Sequence, residues 1–243
     1  MSFCLVIGRE FKGYGELIYK TLVKNGYEPD FILYVLPNYK RIVSNNDFKW
    51  YIRYPAAVAF FLVPTVILRF VLKSYFPVVG RKCFISKDIN SKKSIRILAK
   101  ENPEIIILFS CGYVNKITCE LFHNQLLSAH AGKLPEFRGV SNVEWAYLEN
   151  RDLFGSFQFT SPSMDTGDIV YETKLKKNNN SESINQIRDD AFTQLYSLFS
   201  KSLSEIQKTG FQAVTQTRTR TTRYKMHPFL INVLKNKLKL NRK

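Results

Sequence analysis

Two short stretches carry residues suited to proton chemistry. The first, "LLSAHAGKLPEFRG", runs from Leu126 to Gly139 and sets His130, one of three histidines, between alanines and glycine too small to bury it. The second, "SPSMDTGDIV", places Asp165 in a tight polar turn just ahead of an apolar run, with Gly167 as the residue expected to supply a positive φ. A carboxylate beside a histidine fixes the ring and favours its charged form. Such a pair supplies a proton donor to an oxygen that becomes negative, and a route for removing a proton. Alone, His130 reads equally as a loop histidine held by its neighbours, and Asp165 as an Asx-turn residue. The pair becomes a site only if the fold brings the two loops together.

The elements that must do so are legible as an alternation of apolar runs and helical periods. Phe3–Ile7 is a short apolar run, followed by a helical spacing through Leu17, Ile18, Leu22 and Val23 that stops at Gly26. Asp30–Pro37 is a second strand, which completes the strand–helix–strand unit of a parallel sheet. Residues 81–87 resume with a strand, a helix follows with Ile95 and Leu98 facing inward, and "EIIILFS" (Glu104–Ser110) is the most continuous β-branched run, hence a central strand. A short helix in "NKITCELFHN", a strand over Leu126–Ser128, two strands in "FGSFQFTS" and "DIVYETKL", and a long helix from Ser181 or Ser183 to Thr209–Gly210 complete the order. The long helix shows an inner stripe of Ile184, Ile187, Ala191, Leu195, Leu198, Phe199, Leu203 and Ile206. The expected architecture is α/β: a Rossmann-like, doubly wound, mostly parallel sheet with helices on both faces. In such sheets ligands bind at the carboxyl ends of the strands, where His130 falls.

The 243 residues are read as a domain over 1–215 with an aromatic, basic and apolar insertion at 39–80, and a basic tail over 216–243 that has no acidic residue. The apolar run Ala56–Leu68 is broken by Pro64 and is shorter than the about 20 residues a spanning helix needs. Burial is the favoured reading of that run, with a peripheral membrane contact, together with the amphipathic tail, as the alternative. The net charge of +16 attracts phosphates, whether of nucleic acid, anionic lipid or a phosphorylated small molecule. The basic residues are spread and form no nucleic-acid motif, so nucleic acid is set aside. The four cysteines make no C-x-x-C pair and no zinc-type spacing, so no metal is expected, and reduced thiols in a cytoplasmic protein are. The N-terminus lacks the basic n-region of a signal peptide.

"SAHAGKLPEFRG", followed by "NVEWAYLENRDLFGSFQFTSPSMDTGDIV", resembles the signature of the formyltransferase family that uses 10-formyltetrahydrofolate. The family pattern is Asn-x-His-x-Ser/Gly-x-Leu-Pro-x-x-Arg-Gly, then a Trp-Ala segment, a glycine opening a strand, and Asp-x-Gly. His130, Gly132, Leu134, Pro135, Arg138, Gly139, Trp145, Ala146, Gly155, Asp165, Thr166, Gly167 and Asp168 stand in register with it. "FSCGYVNKI" looks like the family's loop beside the pterin. The resemblance covers about residues 1–225 outside the insertion.

It implies that His130 polarises the formyl oxygen and stabilises the tetrahedral oxyanion. Asp165 would orient His130 and help take a proton from the attacking amine. Gly112, Tyr113, Asn115, Ile117, Ser161 and Met164 would hold the pterin, and Lys133, Arg138 and Gly139 the amine substrate. The family's asparagine falls at Ser128, which is therefore either a shorter donor at the same place or the mark of a weakened site. The look of the motifs, and a chain ending about 30 residues after Gln212 where the tRNA branch carries a further domain, favour an amino-sugar nucleotide as acceptor. A hydrolase of the same folate and a non-catalytic folate or nucleotide binder are the rival readings. A second copy of the chain is carried as a candidate partner.

Overall fold

A computed structural model describes residues 1–8, 14–35, 82–178, 180–217 and 222–240. Its strands, in chain order, are β1 (Phe3–Ile7), β2 (Phe31–Val35), β3 (Cys83–Ser86), β4 (Ile105–Phe109), β5 (Leu126–His130), β6 (Leu153–Phe159) and β7 (Ile169–Leu175). The helices are α1 (Tyr14–Lys24), α2 (Lys92–Glu101), α3 (Lys116–Leu121), α4 (Asn142–Leu148), α5 (Ile184–Ser197), α6 (Phe199–Thr209) and α7 (Pro228–Leu240). The expected insertion at 39–80, with the run 56–68, lies outside the described residues. No helix among the described residues is long and apolar enough to cross a membrane.

The seven strands form one sheet in the order β3-β2-β1-β4-β5-β6-β7. The first five in that order pair in parallel, and β6 and β7 run antiparallel to their neighbours. All residues of β1, β2 and β4 are buried, as continuous apolar runs must be when both faces of a parallel sheet are covered. The two faces define two apolar clusters. One is built on Leu5, Ile107, Phe157 and Phe199, and the other on Val6, Leu33, Ile106 and Leu98. The chain order reverses between β1 and β4, which is the switch point of a doubly wound sheet.

The helix expected over 181–210 starts where its cap allows: Ser183 Oγ accepts from Gln186 N at 3.2 Å. It ends at Gly210, left-handed at φ 66°. It is interrupted at Leu198, where α5 gives way to α6. The inner stripe continues across the break because the change of direction seats Phe199 edge-on against Phe157, centroids 5.0 Å apart.

The segment expected as a basic tail folds back on the body. Residue 223 pairs with the 138–140 loop through Arg223 N to Arg138 O at 2.7 Å and Val140 N to Arg223 O at 3.0 Å. The α7 helix then buries Leu234 and Leu238 in the same cluster as the sheet. Its Lys237 donates to the carbonyls of Tyr147 and Leu148, each at 3.0 Å, at the end of α4. If α7 belongs to the folding unit, Leu234→Ala lowers global stability by about 2–5 kcal/mol in a urea titration. A single transition with an unchanged midpoint would show instead that α7 is an independent appendage.

Candidate active site

The antiparallel turn of the sheet builds a polar stripe next to the parallel strands. Register places Ser128 opposite Gln158 and His130 opposite Ser156, and Ser156 opposite Glu172 on β7. Residues in direct register lie on one face of a sheet, so these side chains line up across β5, β6 and β7. The last residue of β5 is His130 itself, and the strand is two residues longer than the sequence suggested.

The loop after β6 returns at Asp165 to meet His130. His130 Nδ1 stands 3.3 Å from Asp165 Oδ1. The other ring nitrogen, Nε2, stands 2.6 Å from Phe137 O. A carbonyl and a carboxylate only accept, so each ring nitrogen is set to donate. The ring is 8% exposed, well inside the protein.

The Asp165 carboxylate is held on all sides. Gly139 N donates to Oδ2 at 2.9 Å and Gln158 Nε2 to Oδ1 at 3.3 Å. Burial pushes the Asp165 carboxyl up, but His130 beside it and the donors from Gly139 and Gln158 outweigh burial and hold it below the usual carboxylate range. The turn differs in detail from the sequence expectation. The left-handed residue is Asp165 itself, at φ 54°, and not Gly167. Gly167 is required for space: a Cβ there would stand 1.5 Å from Phe159 O, the carbonyl at the end of β6. Gly139 has both constraints, with φ 102° and a Cβ position 2.0 Å from Arg223 O.

Arg138, expected to face the substrate, is turned inward and 8% exposed. Its guanidinium donates to Asp165 O at 3.1 Å, to Gln216 Oε1 at 2.8 Å and to Thr217 O at 3.3 Å. The fork therefore ties the Asp165 loop to residues 216–217. Lys133 lies over the Phe154 ring at 5.5 Å and 3.8 Å from Glu136. Ser128 Oγ accepts from Thr160 Oγ1 at 3.2 Å.

The expected pterin residues divide. Asn115 spends its side chain capping α3, accepting from Thr118 N at 2.8 Å, while Asn90 grips the same loop from Asn115 N and to Tyr113 O, each at 2.8 Å. Ser161 is tied to Ser163 O and Thr166. Tyr113, Ile117 and Met164 stand out as large apolar side chains each more than 60% exposed, and Gly112 turns the loop at φ 82°.

Sequence reasoning missed Gln158, Gln216 and Asn142. Gln158 had a signal: Ser156, Gln158 and Thr160 alternate with Phe157 and Phe159, a period-2 polar face of which Ser156 and Gln158 are buried. Asn142 and Gln216 had none, because only the tertiary fold brings them here. Asn142 is 5% exposed and sets Nδ2 3.1 Å from His130 Nε2.

The fold and site define an α/β protein with a buried histidine paired to a half-buried carboxylate at the carboxyl end of a central strand. The sequence profile of the Formyl transferase family matches residues 73–199, which contain both members of the pair. The methionyl-tRNA formyltransferase of Finegoldia magna is 28% identical over 132 residues, covering 54% of this chain and 42% of the relative. That of Halothermothrix orenii is 27% identical over the same length. The match thus spans about two-fifths of these curated relatives.

Among solved structures, the formyltransferase PseJ from Anoxybacillus kamchatkensis, in complex with UDP-4,6-dideoxy-4-formamido-L-AltNAc and tetrahydrofolate, superposes with a TM-score of 0.54. It is 15% identical, covering 92% of this chain and 86% of that one. A sugar N-formyltransferase from a Shewanella species gives 0.57 at 12% identity, covering 98% and 88%. Phosphoribosylglycinamide formyltransferase from Anaplasma phagocytophilum gives 0.56 at 10% identity, covering 93% and 99%. These likenesses carry the fold. The chain belongs to the formyl transferase family.

The lowered Asp165 pKa gives a pH test. A carboxyl depressed on folding contributes stability that is full above the unfolded value of about 3.9 and is lost as pH falls through the native value. The stability difference between wild type and Asp165→Asn should therefore be constant above about pH 5 and shrink below pH 4. Urea midpoints that fall in parallel down to pH 2.5 would show that the carboxylate is not held in this way.

Proposed function

We propose that the protein transfers the formyl group of 10-formyltetrahydrofolate to a primary amine, most specifically that of an amino-sugar nucleotide. The observation that carries the reading is the His130–Asp165 pair, 3.3 Å apart at the end of β5 inside the segment that matches the family.

The amine nitrogen attacks the formyl carbon, a C–N bond forms, and the carbonyl oxygen becomes negative. The Nε2 hydrogen of His130, held by Phe137 O at 2.6 Å, is the donor that this oxygen takes over. Collapse breaks the bond between the formyl carbon and the folate nitrogen. One proton leaves the amine, and one arrives on the departing nitrogen. Asp165 holds the ring through Nδ1 and, through water, receives the amine proton. The products are the formamide and tetrahydrofolate.

The chain's own residues fit the folate donor. The exposed Tyr113 and Ile117 follow β4 and the exposed Met164 precedes Asp165, which gives apolar surface at the strand ends for a flat heterocycle. Gly112, Asn115 and Ser161 shape the loops that carry them.

The sugar-nucleotide assignment is supported by two solved neighbours that are sugar formyltransferases and align over nine-tenths of this chain or more. The net charge of +16 suits a diphosphate.

Tetrahydrofolate release from 10-formyltetrahydrofolate, with and without a panel of amino-sugar nucleotides, tests the reading. Acceptor-dependent release is expected, falling by about 10²–10⁴ in His130→Ala. Release without acceptor would make the protein a hydrolase. No release from a folded protein that still binds the folate would make it a relative without the chemistry.

A further inference from the structure

The amide that the family pattern places two residues before the histidine is absent, and Ser128 Oγ in its place is engaged with Thr160. An amide nevertheless stands at the ring. Asn142, the first residue of α4, comes from a different segment and brings Nδ2 to 3.1 Å from His130 Nε2.

Its nitrogen has two hydrogens, and Gly139 O takes one at 2.8 Å. The second lies beside Nε2. Nε2 carries its own hydrogen, because the carbonyl of Phe137 at 2.6 Å can only accept. Two donors therefore meet with no acceptor shared between them. An oxygen about 2.9 Å from each nitrogen completes a nearly equilateral triangle on that 3.1 Å base and accepts from both. The remaining atom, Asn142 Oδ1, is buried with no hydrogen-bond partner in a side chain only 5% exposed. Orphaned buried acceptors are rare in folded proteins.

We infer that Asn142 is a catalytic residue, the second hydrogen-bond donor to the oxygen that becomes negative at His130, and that it replaces from α4 the amide that residue 128 does not supply. The inference rests on the formyl-transfer reading. In that reaction the formyl oxygen accepts from Nε2 and from Asn142 Nδ2 together, strongly only once it is charged, so the contact acts on the turnover rate more than on binding.

The test measures kcat for acceptor-dependent tetrahydrofolate release, and tetrahydrofolate affinity by titration, in wild type, Asn142→Ala, Asn142→Asp and the double variant Asn142→Ala/Ser128→Asn. Both single variants should lose about 10²–10³ in kcat, the size of one lost oxyanion donor, with affinity changed by less than about threefold. The double variant should regain at least about tenfold, since an amide at 128 sits on the same strand face as His130. A purely structural Asn142 would lower affinity and melting temperature with kcat, and Ser128→Asn would restore nothing; that result overturns the inference. So does a kcat retained in both single variants while wild type turns over. A wild type that transfers to no amine removes the formyl-transfer reading itself, and the role given to Asn142 with it.

Discussion

A carboxylate taken out of water must be given back its hydrogen bonds by the protein, and Asp165 is the place where this fold meets that demand. The cost of an unpaired buried charge is several kcal/mol, and removing one partner of a satisfied one leaves that cost exposed. Its partners come from segments far apart in sequence: His130 from β5, Gln158 from β6 and Gly139 from the loop before α4. The left-handed φ of 54° at Asp165 is the local strain that such overdetermination sustains.

The same demand explains why the sheet changes direction where it does. A sheet parallel throughout would carry the chain away from β5 through a crossover, whereas the antiparallel β6 runs back beside it and returns the next loop to the end of β5. Buried Ser156 and Gln158 then line up with half-buried Glu172: Ser156 Oγ stands 2.7 Å from Gly132 O and 2.6 Å from Glu172 Oε1, with one hydrogen to share between them, and Glu172 Oε1 accepts from Leu134 N at 3.1 Å. The loop between His130 and Arg138 is thereby anchored from β7, and the 222–226 strap closes it from the other side with Arg223 stacked over Phe137 and Trp145. Residues 216–217 and 222–226, which fall in the expected basic amphipathic tail, complete the support of the site.

What was legible in the sequence follows from what is local. Continuous apolar runs announced β1, β2 and β4, and the stripe from Ile184 to Ile206 announced α5 and α6, because burial on one face or two imposes a pattern on neighbouring residues. His130 and Asp165 were legible as types in polar, small-residue loops, and the family pattern paired them. The break at Leu198, the inward turn of Arg138 and the arrival of Gln216 were not, because each is decided by a partner more than 40 residues away or by packing. The family resemblance placed Arg138 against the amine substrate. In the fold its guanidinium bridges Asp165 O and Thr217 O at once.

The division of labour in the site follows from these supports. His130, Gln158 and Asp165 sit on strand ends or are locked to them, and such groups hold an orientation to within the tolerance that proton transfer and oxyanion stabilisation require. Tyr113, Ile117 and Met164 lie on connecting segments and expose most of their surface. Apolar area left in water lowers its free energy when covered, and loops tolerate exchange of the side chains that provide it. On the proposed function, a chain built this way keeps its histidine–carboxylate pair fixed while the loops around it are free to diverge.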